Sequence, residues 1–317
     1  MKGVVLVTGA NGFVGHTLCK ELSMRHFSVL STVRSKMANV PYSTVLIDAI
    51  GPESNWFTAL KEVRVVIHLA ARVHVMHDTA IDPLEDFRKI NVKGTLNLAR
   101  QAAIAGVQRF VFISSVKVNG EQTKPGHAFT EADNPAPQDS YGISKMEAEQ
   151  GLRKIAQETG MEVVIIRPPL VYGPGVKANF AALIQTVQKG WPLPLGAIHN
   201  QRSLIGLDNL VDFILTCTTH PQAANETFLI SDDHDISTTE LVQGLAKAAG
   251  KKSWLIPVPS WLLLLSGRLL GQRAAIHRLC GNLQVDISKA KQLLGWTPPI
   301  SIEEGLRRSV QGNNSSS

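Results

Sequence analysis

The stretch SYGISKMEAE places Tyr141 four residues before Lys145 at the start of a helical pattern. Residues i and i+4 share one helix face, so a phenol and an ammonium group placed this way point into the same space. A nearby positive charge favours the phenolate. The expectation is therefore a Tyr141 pKa drawn down from its usual value of about 10 toward neutrality, where it works as a general acid or base. The plainer alternative is an amphipathic helix start, with Lys145 in solvent and Tyr141 packed at a domain edge. A second chemical group lies in TGANGFVG, where Gly9, Gly12 and Gly15 recur every third residue. Glycines let a tight turn form and let a phosphate approach backbone N–H groups at a helix start. A glycine triplet alone marks only a tight turn; after a strand and before a helix it points to a dinucleotide.

The elements needed to hold these groups are visible in the pattern. GVVLVTGA, SVLSTV, STVLIDA, RVVIHLAA, RFVFISS and MEVVIIRPP read as six strands, alternating with helical segments that include WFTALKEV, VKGTLNLARQAAIAG and the stretch carrying Tyr141. Such alternation predicts an α/β fold, a Rossmann-type doubly wound parallel sheet over residues 1–168. Residues 169–310 read as a smaller mixed region. A late strand near 227–231 is expected to return to the main sheet, and 311–317 reads as a disordered tail.

Composition narrows the function classes. With 44% hydrophobic and 18% charged residues among 317, the chain is an ordinary globular protein. The charge of +6 is scattered and forms no basic run with interleaved aromatics, which argues against nucleic acid and suits an anionic small ligand. Cys19, Cys217 and Cys280 show no metal-ligand spacing and fit a reduced cytoplasm. No export signal is apparent. The apolar run Trp261–Leu265 is far shorter than the ~20 residues of a membrane span. It reads as a buried helix, with contact to a membrane surface left open.

The GxxGxxG spacing after Thr8 resembles the short-chain dehydrogenase/reductase superfamily, and the chain length suggests its extended branch. HLAAR at His68–Arg72, NVKGT at Asn91, ISSVKVNG, YGISK, RPPLVYGPG, RSLIGLDNL and DISKAKQLLGW follow in the family's order. The resemblance implies an NAD(P)-dependent enzyme in which Tyr141 exchanges a proton with a substrate oxygen while hydride passes to or from the nicotinamide. It implies that Lys145 also holds the cofactor ribose and that Ser115 bonds the same oxygen. Further cofactor contacts are implied for Gly9, Asn11, Gly12, Phe13, Val14, Gly15, Asp48, Leu69, Ala70, Ala71, Asn91, Ser114 and Pro168. Asn91 as a helix cap and Asp48 as a turn residue stay open as alternatives. Relatives of this kind are commonly homodimers.

Extended members commonly take a nucleotide-activated sugar, so a UDP-sugar is expected, with Lys117, Asn179 and Arg202 toward it. Arginine's planar fork suits a diphosphate; the bland readings are a helix cap for Asn179 and a surface position for Arg202. Sugar dehydratases of the family carry an Asp-Glu pair directly after the active-site serine or threonine, whereas Val116 and Lys117 stand here. That leaves reduction of a 4-keto sugar or 4-epimerisation. The second strand ends in Val33 and Arg34 rather than a carboxylate, which favours NADP, with NAD as the alternative. The leading expectation is reduction of a UDP-4-keto-6-deoxy-N-acetylhexosamine for surface-polysaccharide precursors. UDP-glucose or UDP-N-acetylglucosamine 4-epimerisation stands beside it. A hydroxysteroid-type dehydrogenase and a non-catalytic dinucleotide sensor are further alternatives.

Overall fold

Crossovers from strand to helix and back dominate the first half of the computed structural model, which describes residues 3–33, 40–47, 49–73, 82–269, 271 and 273–314. The elements are β1 (Val4–Thr8), α1 (Phe13–Met24), β2 (Ser28–Val33), β3 (Ser43–Leu46), β4 (Val63–His68), α2 (Pro83–Phe87), a π-helical turn (Arg88–Gly94), α3 (Thr95–Ile104), β5 (Arg109–Ile113), a 3₁₀ turn (Val116–Val118), α4 (Ser140–Thr159) and β6 (Glu162–Arg167). There follow β7 (Leu170–Tyr172), α5 (Ala178–Gln188), β8 (Leu204–Gly206), α6 (Leu207–Thr219), β9 (Thr227–Leu229), α7 (Thr238–Ala248), α8 (Ser260–Leu269), α9 (Arg273–Cys280), α10 (Ser288–Leu294) and α11 (Ile302–Asn314).

Seven strands form one sheet in the order β3-β2-β1-β4-β5-β6-β9, every pair parallel. Side chains alternate across the sheet, so each strand feeds two cores. Val5, Val7, Val111 and Ile166 face Leu18, Leu22 and Phe213 of α1 and α6. Leu6, Val66, Phe110 and Ile165 face Leu98, Leu152 and Ile155 of α3 and α4. The strand order reverses direction between β1 and β4, and a crevice at the carboxyl ends of strands at such a point is where ligands bind in this architecture.

After β6 the chain splits its loyalty. α6 and β9 complete the main sheet, while Tyr172, Phe180, Ile184, Val242, Leu245 and Leu306 gather α5, α7 and α11 around a third core. A buried carboxylate ties this region to the small β7-β8 sheet. Asp232 accepts from the Tyr172 hydroxyl at 2.6 Å, the Gly206 amide at 2.8 Å and Asn209 Nδ2 at 2.7 Å.

Three expectations fail for local reasons. WFTALKEV is not a helix but a run of turns, in which Trp56, Ala59 and Leu60 are buried and Glu62 adopts φ +64° to turn the chain into β4. The helix containing Trp261–Leu265 exists as α8, yet only Leu263 of that run is buried; Trp261, Leu262 and Leu265 face outward. Residues 311–314 continue α11 rather than forming a tail, with Gly312 so close to Pro174 that an added Cβ would meet it at 2.5 Å; 315–317 lie outside the described residues. Among the described residues, no helix is long and apolar enough to cross a membrane.

Candidate active site

The glycine turn is built as a cradle. Gly9 takes φ +73° with its α-carbon against the next loop, where a Cβ would meet the Ala70 amide nitrogen at 2.9 Å. A Cβ on Gly15 would lie 2.2 Å from the Gly9 carbonyl oxygen, so α1 can press this closely on β1 only without a side chain there. Gly12 caps α1, with no side-chain hydrogen bond and no acidic residue in the first turn. The amides opening α1 at Phe13 and Val14 thus keep their donors and a positive dipole end. Asn11 and Gly12 are exposed at the rim. This cradle fits a dinucleotide's pyrophosphate.

Beside it, His68 ends β4 fully buried. Its Nδ1 lies 2.8 Å from Thr8 Oγ1 and its Nε2 3.0 Å from Thr95 Oγ1, and the Ala70 amide donates to Thr8 Oγ1 at 3.3 Å. A neutral ring carries one N–H, so His68 donates to one of the two threonine hydroxyls and accepts from the other. Burial, aided by the charge of Lys145, pushes the His68 pKa down to about 3. Leu69, Ala70 and Ala71 continue from β4 as a half-buried loop alongside the glycines. Asn91, inside the π-helical turn and not at a cap, accepts from the Arg72 amide at 2.8 Å and donates to the Arg72 carbonyl and Ser144 Oγ, both at 3.0 Å. Its amide therefore splices the β4 loop to α4.

The catalytic candidates converge from two elements. β5 ends in a loop stitched to β6, the Ser114 amide donating to the Ile166 carbonyl at 2.7 Å and the Val116 amide to the Pro168 carbonyl at 3.0 Å. Ser115, half-buried, caps the 3₁₀ turn by accepting from the Lys117 amide at 3.2 Å. Tyr141 lies in the first turn of α4, behind Asp139, which caps that helix through the Gly142 amide at 2.7 Å. The Lys117 ammonium bonds Asp139 Oδ2 and sits 3.2 Å from Glu121 Oε1. Lys117, expected at the substrate, is thus the strut that joins the serine loop to the tyrosine helix.

Lys145 is buried under this pair, not solvated. Its Nζ donates to the Ile113 carbonyl at 2.7 Å, stands 4.4 Å from the Phe112 ring centre and 5.8 Å from that of Tyr141. Burial pushes its pKa down to about 7, against the opposing charge of Glu149. The Tyr141 pKa moves opposite to expectation: burial first, then the Asp139 carboxylate, hold it above the ordinary phenol range. Spacing foresaw a helpful cation, but desolvation penalises the charged form of both partners and wins. Part of the tyrosine remains accessible, and its ring meets the edge of Phe87 at 6.2 Å. Its hydroxyl makes no hydrogen bond to a described residue, whereas its backbone carbonyl accepts from Ser144 Oγ at 2.8 Å.

A polar floor that the sequence did not announce lies beneath. Glu149 accepts from Ser114 Oγ at 2.6 Å and from Arg167 Nε and Nη2 at 2.9 and 2.6 Å, while Arg167 Nη1 reaches Asn119 Oδ1 at 2.9 Å. Ser114, expected at the cofactor, donates its hydroxyl proton inward to this carboxylate. Only the arginine just before Pro168 and the Asp before SYG were signals for these residues.

The more distant candidates divide. Arg202 is neither a plain surface residue nor open to a ligand on every side: Nη1 donates to the Arg278 and Gly281 carbonyls at 2.8 and 3.0 Å. It borders a cleft of about 250 Å³ lined by Glu121, Gln122, Gln138, His277 and Arg278, next to the Asp139 cap. Asn179 is exposed as the second residue of α5 and does not cap it; Lys177 is the cap residue. Arg34 and Asp48 lie outside the described residues.

Residues 5–231 match the model of the NAD dependent epimerase/dehydratase family. A UDP-glucose 4-epimerase of Vibrio cholerae is 50% identical over 309 residues, 97% of this chain and 94% of that protein. The N-acetyl-α-D-glucosaminyl-diphospho-ditrans,octacis-undecaprenol 4-epimerase of Escherichia coli O157:H7 is 27% identical, covering 98% and 95% of the two chains. Among solved structures, MoeE5 in complex with UDP-glucuronic acid and NAD superposes with a TM-score of 0.80 at 25% identity, over 99% of this chain and 100% of that one. The glycine cradle, the tyrosine-lysine turn and the match over most of the chain agree: this protein belongs to the NAD dependent epimerase/dehydratase family and is an NAD-dependent enzyme of the extended short-chain dehydrogenase/reductase type.

Proposed function

We propose that this enzyme carries out oxidation and reduction at C4 of a UDP-sugar, in the form of a 4-epimerase. The observation that carries the reading is the convergence of Tyr141, Lys145 and Ser115 beside the glycine cradle. Its kinship with a UDP-glucose 4-epimerase at half identity supports the choice of reaction.

NAD, when bound, supplies the hydride acceptor that the chain lacks. Its pyrophosphate fits the amides at the start of α1, and Lys145 with the Leu69–Ala71 loop would hold the remainder. Tyr141 would move the proton: as the phenolate it takes the proton from the sugar oxygen as the carbonyl forms, and as the phenol it returns it as the carbonyl is reduced. Ser115 donates a hydrogen bond to the same oxygen, where negative charge develops. Lys145, anchored on the Ile113 carbonyl, shares its charge with whichever oxygen carries the deficit. Val116 is buried and Lys117 is committed to Asp139, so neither is an acid-base pair for eliminating water.

Reduction of a 4-keto sugar is the second reading. It is favoured by a tyrosine held protonated at neutral pH and by β2 ending in Val33, with no carboxylate there to repel a 2′-phosphate. One experiment separates the two. The purified enzyme is incubated with UDP-glucose, UDP-N-acetylglucosamine and a UDP-4-keto-6-deoxy sugar, with NADH, NADPH or neither. Interconversion of hydroxy sugars without net cofactor consumption supports epimerisation. Stoichiometric NADPH loss confined to the keto sugar replaces it with reduction. Tyr141→Phe should abolish turnover in either case with an unchanged melting temperature, and full activity in that variant removes the proton-transfer role.

A further inference from the structure

Of the five tryptophans, Trp56 and Trp296 are buried, whereas Trp191, Trp254 and Trp261 are 60%, 65% and 66% exposed. Trp191 and Trp254 sit together on the lobe around the third core, and Trp261 stands in the helix that follows. The Trp191 and Trp254 segments are stitched side by side, the Leu193 amide donating to the Trp254 carbonyl and the Ile256 amide to the Leu193 carbonyl, both at 2.8 Å. α8 follows directly. Its Trp261, Leu262 and Leu265 share one outward face, while Leu263 on the other side packs in the same core as Leu255 and Val258.

Charge identifies the partner. From 241 to 285 the chain has no aspartate or glutamate and six lysines and arginines; from 163 to 207 it has no acid either, and of the four cations there Arg167 is buried against Glu149. Lys189, Lys251, Lys252 and Arg268 are exposed beside the tryptophans, and Lys189 Nζ lies 5.2 Å from the Trp191 ring centre. A second copy of this chain would bring the same exposed Lys189, Lys251, Lys252 and Arg268 against it, and like charges oppose that contact. An anionic lipid surface presents the opposite charge, and it takes tryptophan and leucine into the headgroup boundary while lysine and arginine reach its phosphates.

We propose that this face docks the enzyme peripherally on an anionic phospholipid bilayer. The test mixes full-length protein with vesicles of phosphatidylcholine alone or of equal parts phosphatidylcholine and phosphatidylglycerol, followed by sedimentation and tryptophan fluorescence. The expected result is co-sedimentation with the anionic vesicles only, release at high salt, and a blue shift from the three exposed indoles. Trp254→Gln with Trp261→Gln, and separately Lys251→Glu with Lys252→Glu, should each weaken vesicle binding by about tenfold or more. Circular dichroism and turnover of soluble sugar nucleotides should stay at wild-type level in both, so the result does not depend on which sugar is the substrate. The proposal is overturned if wild-type protein ignores anionic vesicles at low salt, or if the charge-reversed double variant binds as wild type does. It is equally overturned if the tryptophan substitutions split a dimer in the absence of vesicles, which makes the face a contact between copies.

Discussion

Replacing Glu149 by leucine isolates the polar floor under the active site. Its carboxylate is 1% exposed and the Arg167 guanidinium 3%, joined through a two-pronged contact of 2.9 and 2.6 Å. Leucine at 149 strands a buried cation and the Ser114 hydroxyl, and breaking such a pair from one side costs about 3–5 kcal/mol. For a chain of 317 residues that lowers the melting temperature by roughly 4–8 °C. Arg167→Leu alone should cost a similar amount. The double variant removes both charges and should lie within about 2 kcal/mol of wild type, so the two losses do not add. The milder Glu149→Gln carries the functional consequence: the carboxylate opposes the fall of the Lys145 pKa, so its removal sends that value below about 7. Lys145 then sheds its proton earlier, and the alkaline limb of the kcat profile should move to lower pH. Thermal unfolding followed by circular dichroism, and kcat against pH, measure the two effects. A Glu149→Leu melting point within 2 °C of wild type, or additive losses in the double variant, would refute the reasoning.

Two other outcomes follow from the same geometry. Gly15→Ala places a Cβ 2.2 Å from the Gly9 oxygen and should destabilise even cofactor-free protein by about 1–3 kcal/mol, whereas Gly12→Ala meets only that oxygen at 3.1 Å. The second variant should melt normally and lose NAD affinity by calorimetry; equal melting losses in both would mean the cradle is not what the glycines serve. Burial holds His68 neutral to a pKa of about 3, so between pH 6.5 and 3 the unfolded chain binds more protons. Stability is therefore full above pH 6.5 and falls as pH drops through that window, by up to about 5 kcal/mol. His68→Gln should flatten the urea midpoint against pH between 7 and 4, and an unchanged slope would exclude the histidine as the cause.

The alternation of β-branched runs with amphipathic segments made the sheet and its crossovers legible, because burial on both faces leaves a strong imprint on strand composition. Gly9, Gly12 and Gly15 were equally legible, since their spacing encodes a steric requirement that the turn then displays. Trp56 to Val63 misled, because a segment that buries a tryptophan and a leucine in one turn has the same spacing as a helix. Glu149 was illegible for another reason. A glutamate in an otherwise polar helix reads as solvated, and only the arrival of Arg167 from β6 reveals it as buried. The Tyr141 shift was misread in sign because spacing reports which groups are neighbours, while desolvation depends on everything packed around them.

That sign bears on how the site works. A tyrosine and a lysine that are both disfavoured in their charged forms suit the proposed role of passing one proton to and from a substrate oxygen with little net charge left behind. The neighbouring positions that could have shared this work are otherwise engaged: Val116 is buried, Lys117 is fastened to Asp139 and Ser114 is turned to Glu149. Each of these engagements also holds Ser115 or Tyr141 in place, through the stitched loop on one side and the helix cap on the other. The side chains that in a dehydratase would pull water from the sugar are here converted into scaffold. On the proposed reading, proton traffic is left to Tyr141 with Ser115 at its side, which would confine the chemistry to a hydride and a proton on one carbinol carbon.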